Sequence, residues 1–195
     1  MQALAFSDVH RDLEQAKRLA EMAARADVVI AAGDFGSVHR GVNELIDMLV
    51  VIETPTVLVP GNNETEDALR EACRGWKAAT VLHGEGTEID GVEFFGLGAG
   101  VPTTPWDWSF DLTEDEAETM LAGMGEGGVL VVHSPPKGYL DGNRSLGSEA
   151  VLRAIEAKRP RVAVCGHIHE CAGEEAEIGP TRLLNPGPEG IFVEV

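Results

Sequence analysis

Seven residues in this chain have the types and the spacing to hold metal ions. Asp8 and His10 close the first apolar run. Asp34 follows Gly33, Asn62 follows Gly61, and His133 follows Val129–Val132. His167 and His169 lie just after Gly166. Carboxylate, carboxamide and imidazole donors without thiolates suit Mn²⁺, Fe, Zn²⁺, Co²⁺ or Ni²⁺ better than a Cys-rich structural zinc site. One ion seldom needs seven protein ligands, whereas two ions sharing a carboxylate do. On an extended chain, residues two apart point the same way. Asp8 and His10 are therefore expected to converge on one ion, and His167 and His169 to face one pocket. The glycines before these donors permit sharp turns where ligands crowd.

The elements that must position these residues alternate. Residues 2–7, 28–32 and 56–59 are expected strands, each followed by a helix over 13–26, 42–51 and 65–74. Three successive βα units imply parallel strands with right-handed crossovers, and sites in such sheets form beyond the carboxyl ends of the strands. Further on, strands are expected over 80–83 and 86–98, with Asp90-Gly91 as a hairpin turn. Residues 101–110 are loop-like. A capping box at Thr113 opens a helix over 113–124. Val129–Val132, a long loop over 134–147, a helix over 148–158 and a strand over 161–165 follow. Short strands over 176–178, 182–184 and 191–195 end the chain. The expected fold is α/β, with residues 1–195 forming one domain of two packed mixed sheets flanked by helices, a four-layer αββα sandwich.

The 195 residues carry 33 acidic against 15 basic groups, a net charge of −18. So negative a surface repels polyanions and anionic membranes, so no stable nucleic-acid binding and no membrane association are expected. Many carboxylates with few lysines fit a protein kept soluble in a salty cytosol. Three cysteines (Cys73, Cys165 and Cys171) argue against a disulfide framework and for a reducing compartment. There is neither a secretory signal pattern nor an apolar stretch long enough to span a bilayer, so the expected location is cytoplasmic.

In order along the chain, D-x-H, G-D, G-N-x-E, a lone His and G-H-x-H resemble the calcineurin-like metallophosphoesterase family, from Asp8 to His169. The Asn185-Pro186-Gly187 turn resembles that of its compact cytosolic branch. The resemblance implies that Asp8, His10 and His169 hold a first ion, that Asn62, His133 and His167 hold a second, and that Asp34 bridges both. Manganese is the favoured metal, a hydroxide between the ions is the nucleophile, and a small phosphoester is the substrate. Asn63, Asp34 and His133 are the implied catalytic positions.

The family usually has His after the Asn, where this chain has Asn63. That His steadies the phosphoryl group and helps protonate the leaving oxygen. A carboxamide donates a hydrogen bond but is no acid near neutral pH, and losing a general acid costs on the order of 10²–10⁴ in rate. Relatives lacking that His favour phosphodiesters, so diesterase activity is expected to exceed monoesterase activity. A phosphomonoesterase or nucleotide phosphatase with the same site is one alternative. A weakly catalytic, metal-binding protein-interaction module is another, although such relatives tend to lose ligand histidines and this chain keeps all of them.

Arg11 stands where Gly is common; it fits a phosphate clamp, a solvent-facing side chain, or a partner for Asp12 or Glu14. Glu64 fits an orienting or helix-capping role better than a ligand role. Trp106 and Trp108 fit a wall over the substrate and aromatic packing beneath a loop equally well. His39 and His83 lie outside the motifs.

Overall fold

The computed structural model describes residues 1–195. Its first half runs β1 (Gln2–Phe6), α1 (Leu13–Ala23), β2 (Val28–Ala31), α2 (Val42–Leu49), β3 (Thr56–Leu58), α3 (Glu66–Cys73) and β4 (Ala79–Val81). The second half runs β5 (Glu85–Ile89), β6 (Val92–Leu97), α4 (Glu114–Leu121), β7 (Val129–Val132), α5 (Glu149–Lys158) and β8 (Val162–Val164). A short 3-10 turn (His169–Cys171), β9 (Glu174–Ile178), β10 (Thr181–Asn185) and β11 (Ile191–Glu194) complete it.

Two mixed sheets result. The first has the order β11-β1-β2-β3-β4, parallel except for β11. The second has the order β5-β6-β7-β8-β10-β9, with four parallel strands inside and antiparallel β5 and β9 at its edges.

Side-chain alternation along the strands builds the layers. Leu4 and Phe6 of β1 pack with Leu19, Leu45 and Leu69 of the first three helices. Ala3 and Ala5 point the other way and meet Val28, Ile30, Val129, Val131 and Val164 between the sheets. On the far side, Leu130 and Val132 pack with Leu121 of α4 and Val151 and Ile155 of α5. One residue of slip in any of these strands would turn its apolar set to the wrong face, so burial on both faces fixes the register. The arrangement is the expected four-layer sandwich.

Local chemistry sets the helix boundaries. Thr65 and Ser148 cap α3 and α5, and Thr113 and Glu116 form a reciprocal capping box on α4. The helix expected over 13–26 ends at Ala23, because Arg25 and Ala26 turn back to the carbonyls of Met22 and Ala23 three residues earlier. No helix is long and apolar enough to cross a membrane.

Candidate metal centre

Five strand ends meet along one rim: β1, β2 and β3 from the first sheet, β7 and β8 from the second. The turns that follow are tied to one another. The Asp8 and His10 amides donate to the carbonyls of Gly33 and Asp34 at 2.9 and 3.0 Å. The Gly166 amide donates to the carbonyl of His133 at 2.9 Å. The Asp8 carboxylate accepts the His167 amide at 3.0 and 3.1 Å.

All seven donor residues come together at this rim. Oxygen and nitrogen atoms of Asp8, His10, Asp34 and His169 lie within 4.8 Å of one another, and so do those of Asp34, His133 and His167. Asp34 belongs to both groups. Its Oδ2 stands 3.4 Å from His10 Nε2 and its Oδ1 stands 3.6 Å from His133 Nε2. Asn62 joins the second group, with Oδ1 3.3 Å from His133 Nε2.

The route to convergence differs from the extended alternation expected of Asp8-Val9-His10 and His167-Ile168-His169. Asp8 (φ 56), His10 (φ 43), Arg11 (φ 68), Asp34 (φ 60) and His167 (φ 67) occupy the left-handed region. His169 opens the 3-10 turn. The two downstream histidines therefore part: the His167 ring packs on His133, and the His169 ring on His10, each pair with centroids 4.9 Å apart. Residues other than glycine are uncommon in that region and cost on the order of 1–3 kcal/mol each, strain that clusters at functional sites. Glycine serves a different need here. A Cβ on Gly61 would overlap the Asp34 carboxylate, and one on Gly166 would come within 2.6 Å of Asp8 Oδ2.

The chemistry of the donors fits divalent cations. His133 Nδ1 lies 2.8 Å from the Ala32 carbonyl, and His10 Nδ1 lies 3.0 Å from that of Gly36. A carbonyl only accepts, so Nδ1 carries the proton and Nε2 of each neutral ring presents a lone pair. His133 Nε2 then faces the acceptor oxygens of Asn62 and Asp34. His10 Nε2 faces Asp34 and, at 3.0 Å, His169 Nε2. Asn63 donates to both Asp34 oxygens, but the lone pairs of His133 Nε2 and His10 Nε2 still face carboxylate and carboxamide oxygens, an unfavourable arrangement that a cation between them relieves.

The titration of these groups follows the same logic. Burial would raise the Asp8 carboxyl, but the hydrogen bond with His169 and the nearby His133 take it down to about 2. Burial opposes charge on His133, and the carboxylates of Asp34 and Asp8 outweigh it, leaving that ring above its usual value. Burial and His133 together depress His167 to about 4, which keeps its lone pair free.

Glu64 supports the centre from beneath. Fully buried, it accepts the amides of Gly61, Asp34, Gly36 and Phe35 at 2.7, 2.8, 3.0 and 3.3 Å. Burial and Asp34 push its carboxyl up to about 7, while these amides pull the other way. It orients the ligand turns, as its sequence position favoured. Asn63 is also committed. Its Nδ2 donates to Asp34 Oδ2 at 2.7 Å, its amide to Asp34 Oδ1 at 2.9 Å, and its Oδ1 accepts from Val38 at 2.9 Å.

Arg11 forms no ion pair with Asp12 or Glu14; its side chain lies across Gly41 at the start of α2. Trp106 and Trp108 stack on each other with centroids 5.6 Å apart, and Trp106 is half exposed. His39 bonds the Trp108 carbonyl, and His83 accepts the Gly98 amide; neither joins the donor groups. Sequence reasoning missed the role of Asn185. This buried residue donates to the carbonyls of Gly166 and Ile168 and accepts the Gly187 amide, holding the turn that carries His167. A polar residue closing the apolar strand β10 was the available signal.

The domain model described as the calcineurin-like phosphoesterase superfamily domain matches residues 1–191. The chain belongs to that superfamily. A UPF0046 protein of Caenorhabditis elegans is 28% identical over 207 residues, covering 95% of this chain and 69% of the nematode protein. Human metallophosphoesterase domain-containing protein 1 is 34% identical over 137 residues, covering 66% of this chain and 39% of the human protein. This calcineurin-like chain therefore spans well under half the length of the human relative.

Solved structures share its fold. The protein TT1561 of Thermus thermophilus superposes with a TM-score of 0.78 at 18% identity, covering 96% of this chain and 90% of that one. A dimetal phosphatase from Danio rerio gives 0.61 at 11% identity, with 94% and 86% covered. An archaeal phosphodiesterase gives 0.53 at 18% identity, with 96% and 84% covered. The chain thus has the calcineurin-like phosphoesterase fold and, at its rim, residues suited to divalent metal.

Proposed function

We propose that this chain is a two-metal phosphoesterase that favours phosphodiesters. The observation that carries the proposal is the sharing of Asp34 between two donor groups, one carboxylate oxygen aimed at each. Asp8, His10 and His169 would hold one ion, Asn62, His133 and His167 the other, with Asp34 common to both; Mn²⁺ is the favoured metal. Two divalent ions bound there would supply Lewis acidity, an activated water, and charge neutralisation at the phosphoryl oxygens.

The chain's own residues hold and orient. Ala32 and Gly36 fix the ring tautomers of His133 and His10, so in the neutral rings both Nε2 atoms present their lone pairs to metal. A cleft beside His167 and His169, edged by Asn143, Arg144 and Leu146, offers one guanidinium for a substrate anion. Two other hollows, under the β5–β6 hairpin and beside Trp76, sit at the opposite end of the strands and hold none of these donors.

Preference for diesters rests on Asn63. Its carboxamide is spent on Asp34 and Val38 and cannot deliver a proton to a leaving oxygen. Structural neighbours include proteins named as phosphatases and as a phosphodiesterase, so fold likeness does not bear on the choice. The three buried, unpaired cysteines support a reducing, cytoplasmic setting.

Bis-nitrophenyl phosphate and nitrophenyl phosphate, assayed with Mn²⁺, test the reading. Faster diester turnover is expected. Preferential monoester cleavage would overturn the substrate preference, and a purified chain that takes up no divalent ions would overturn the whole proposal.

A further inference from the structure

The loop between β6 and α4 carries none of the seven donors, yet one chain of hydrogen bonds runs from it into the metal rim. Asn62 Nδ2 lies 2.8 Å from Ser109 Oγ, and Ser109 Oγ lies 2.7 Å from Asp111 Oδ1. Asp111 Oδ2 accepts both the amide and the hydroxyl of Thr104, at 2.7 and 2.8 Å. Backbone bonds clamp the loop in place: the Phe110 amide donates to the Asn62 carbonyl at 3.0 Å, and Gly100 and Phe110 pair at 2.9 Å.

The direction of this chain follows from what each group can do. An ionised carboxylate only accepts, so the single proton of Ser109 must go to Asp111. Ser109 Oγ is then left as an acceptor, and Asn62 must show it the NH₂ end of the carboxamide. The carbonyl end, Oδ1, is thereby turned toward His133 Nε2, 3.3 Å away, where the donors of the second group gather. A carboxamide with the reverse orientation would present N–H to a cation and repel it.

We infer that Asp111, acting through Ser109, is a positioning residue that sets which end of Asn62 faces the second metal position. It touches neither metal nor substrate. This rests on the reading that Asn62 holds the second ion, and the test separates the two.

Asp111→Asn is nearly isosteric and can keep both Thr104 bonds through its remaining oxygen, so the loop has no reason to open. Its new NH₂ donates to Ser109, whose proton is then released from residue 111 and free to go to the Asn62 carboxamide, so nothing any longer holds Oδ1 toward the metal. Outer-shell changes of this kind cost roughly 10–100-fold in metal affinity. In Mn²⁺ titrations of metal-free protein, wild type is expected to bind two ions and Asp111→Asn to lose roughly 10–100-fold affinity for one of them only, with unchanged melting temperature.

The double variant Asn62→Asp/Asp111→Asn sharpens the test. Asp at position 62 accepts through both oxygens, so the reversed chain of bonds is satisfied and an oxygen still faces the metal. It is expected to regain the affinity that Asp111→Asn loses. A carboxylate at position 62 also attracts a cation by its charge alone, so the single variant Asn62→Asp is the reference: a merely structural role for Asp111 would give the same gain whether residue 111 is Asp or Asn. Two ions bound by Asp111→Asn with wild-type affinity, or no recovery in a double variant that melts like wild type, would overturn the inference. A wild-type chain that binds fewer than two ions would instead overturn the two-metal reading beneath it.

Discussion

The two halves of the candidate centre differ in how far they are sunk into the protein. Around His133 the site is closed: that ring is 0% exposed and the Asp34 carboxylate 3%. Around His169 it is open, with that side chain 62% exposed and His10 26%. Their support differs in the same sense. His133 is pinned by the Ala32 carbonyl, and Asn62 by Ser109. The His169 ring is fixed by no backbone carbonyl and leans on Asp8 and His10. A closed half enforces geometry and excludes wrong donors, whereas an open half leaves room for a substrate to approach. A phosphoesterase centre needs both, and the shared Asp34 is what keeps them at a set distance.

The largest effect is therefore expected where the halves join. Asn in place of Asp34 keeps the left-handed backbone conformation that Asn tolerates. It removes the only charge common to both groups. Asp34→Asn is expected to lower the metal content from two ions per chain toward none and to reduce hydrolysis to background. A variant that still takes up two ions would show that the halves are independent.

Next come losses confined to one half. Metal-free His133→Ala leaves the buried Ala32 carbonyl without its donor, a cost of about 1–3 kcal/mol. Metal-free His169→Ala removes an exposed ring and is expected to stay within about 0.5 kcal/mol of wild type. Each variant should lose one ion. Urea unfolding in the presence of a chelator measures the difference, and equal destabilisation by the two would contradict the closed and open description.

The donors were legible in the sequence because each breaks an apolar run at a strand end, where a buried polar group needs a reason to be there. The layers were legible because alternation along β1, β2 and β7 leaves no other way to bury both faces. How Asp8 and His10 reach one ion was not. Period-2 reasoning brought the right residues together by the wrong path, since left-handed turns leave no mark on residue types as permissive as Asp and His. Ser109 and Asp111 were illegible for a different reason. Their contact with Asn62 crosses 47 residues of chain from Ser109, and no local pattern marks either as more than a polar loop residue. Asn185, which props the His167 turn from β10, did leave a signal, a buried polar residue closing an apolar strand, but its partners at Gly166 and Ile168 lie in another segment of the chain.

The smallest effect in this series concerns the floor under the closed half. Glu64 is all acceptor toward four backbone amides, from Gly61, Asp34, Phe35 and Gly36, and these belong to the turns carrying Asn62 and Asp34. Glu64→Gln conserves shape but replaces one oxygen with an NH₂ that must face amides already pointing inward. At least one buried N–H then loses its acceptor, a cost of about 1–3 kcal/mol, offset in part because a carboxylate no longer has to be buried beside Asp34. The expected outcome is a modest fall in metal-free stability with a weakened ion at the Asn62–His133 position. The ion held by Asp8 and His169 should weaken less, since of its ligands only His10 and the shared Asp34 depend on the turn that Glu64 holds. Equal weakening of both ions would mean that the two halves share their foundations as well as Asp34.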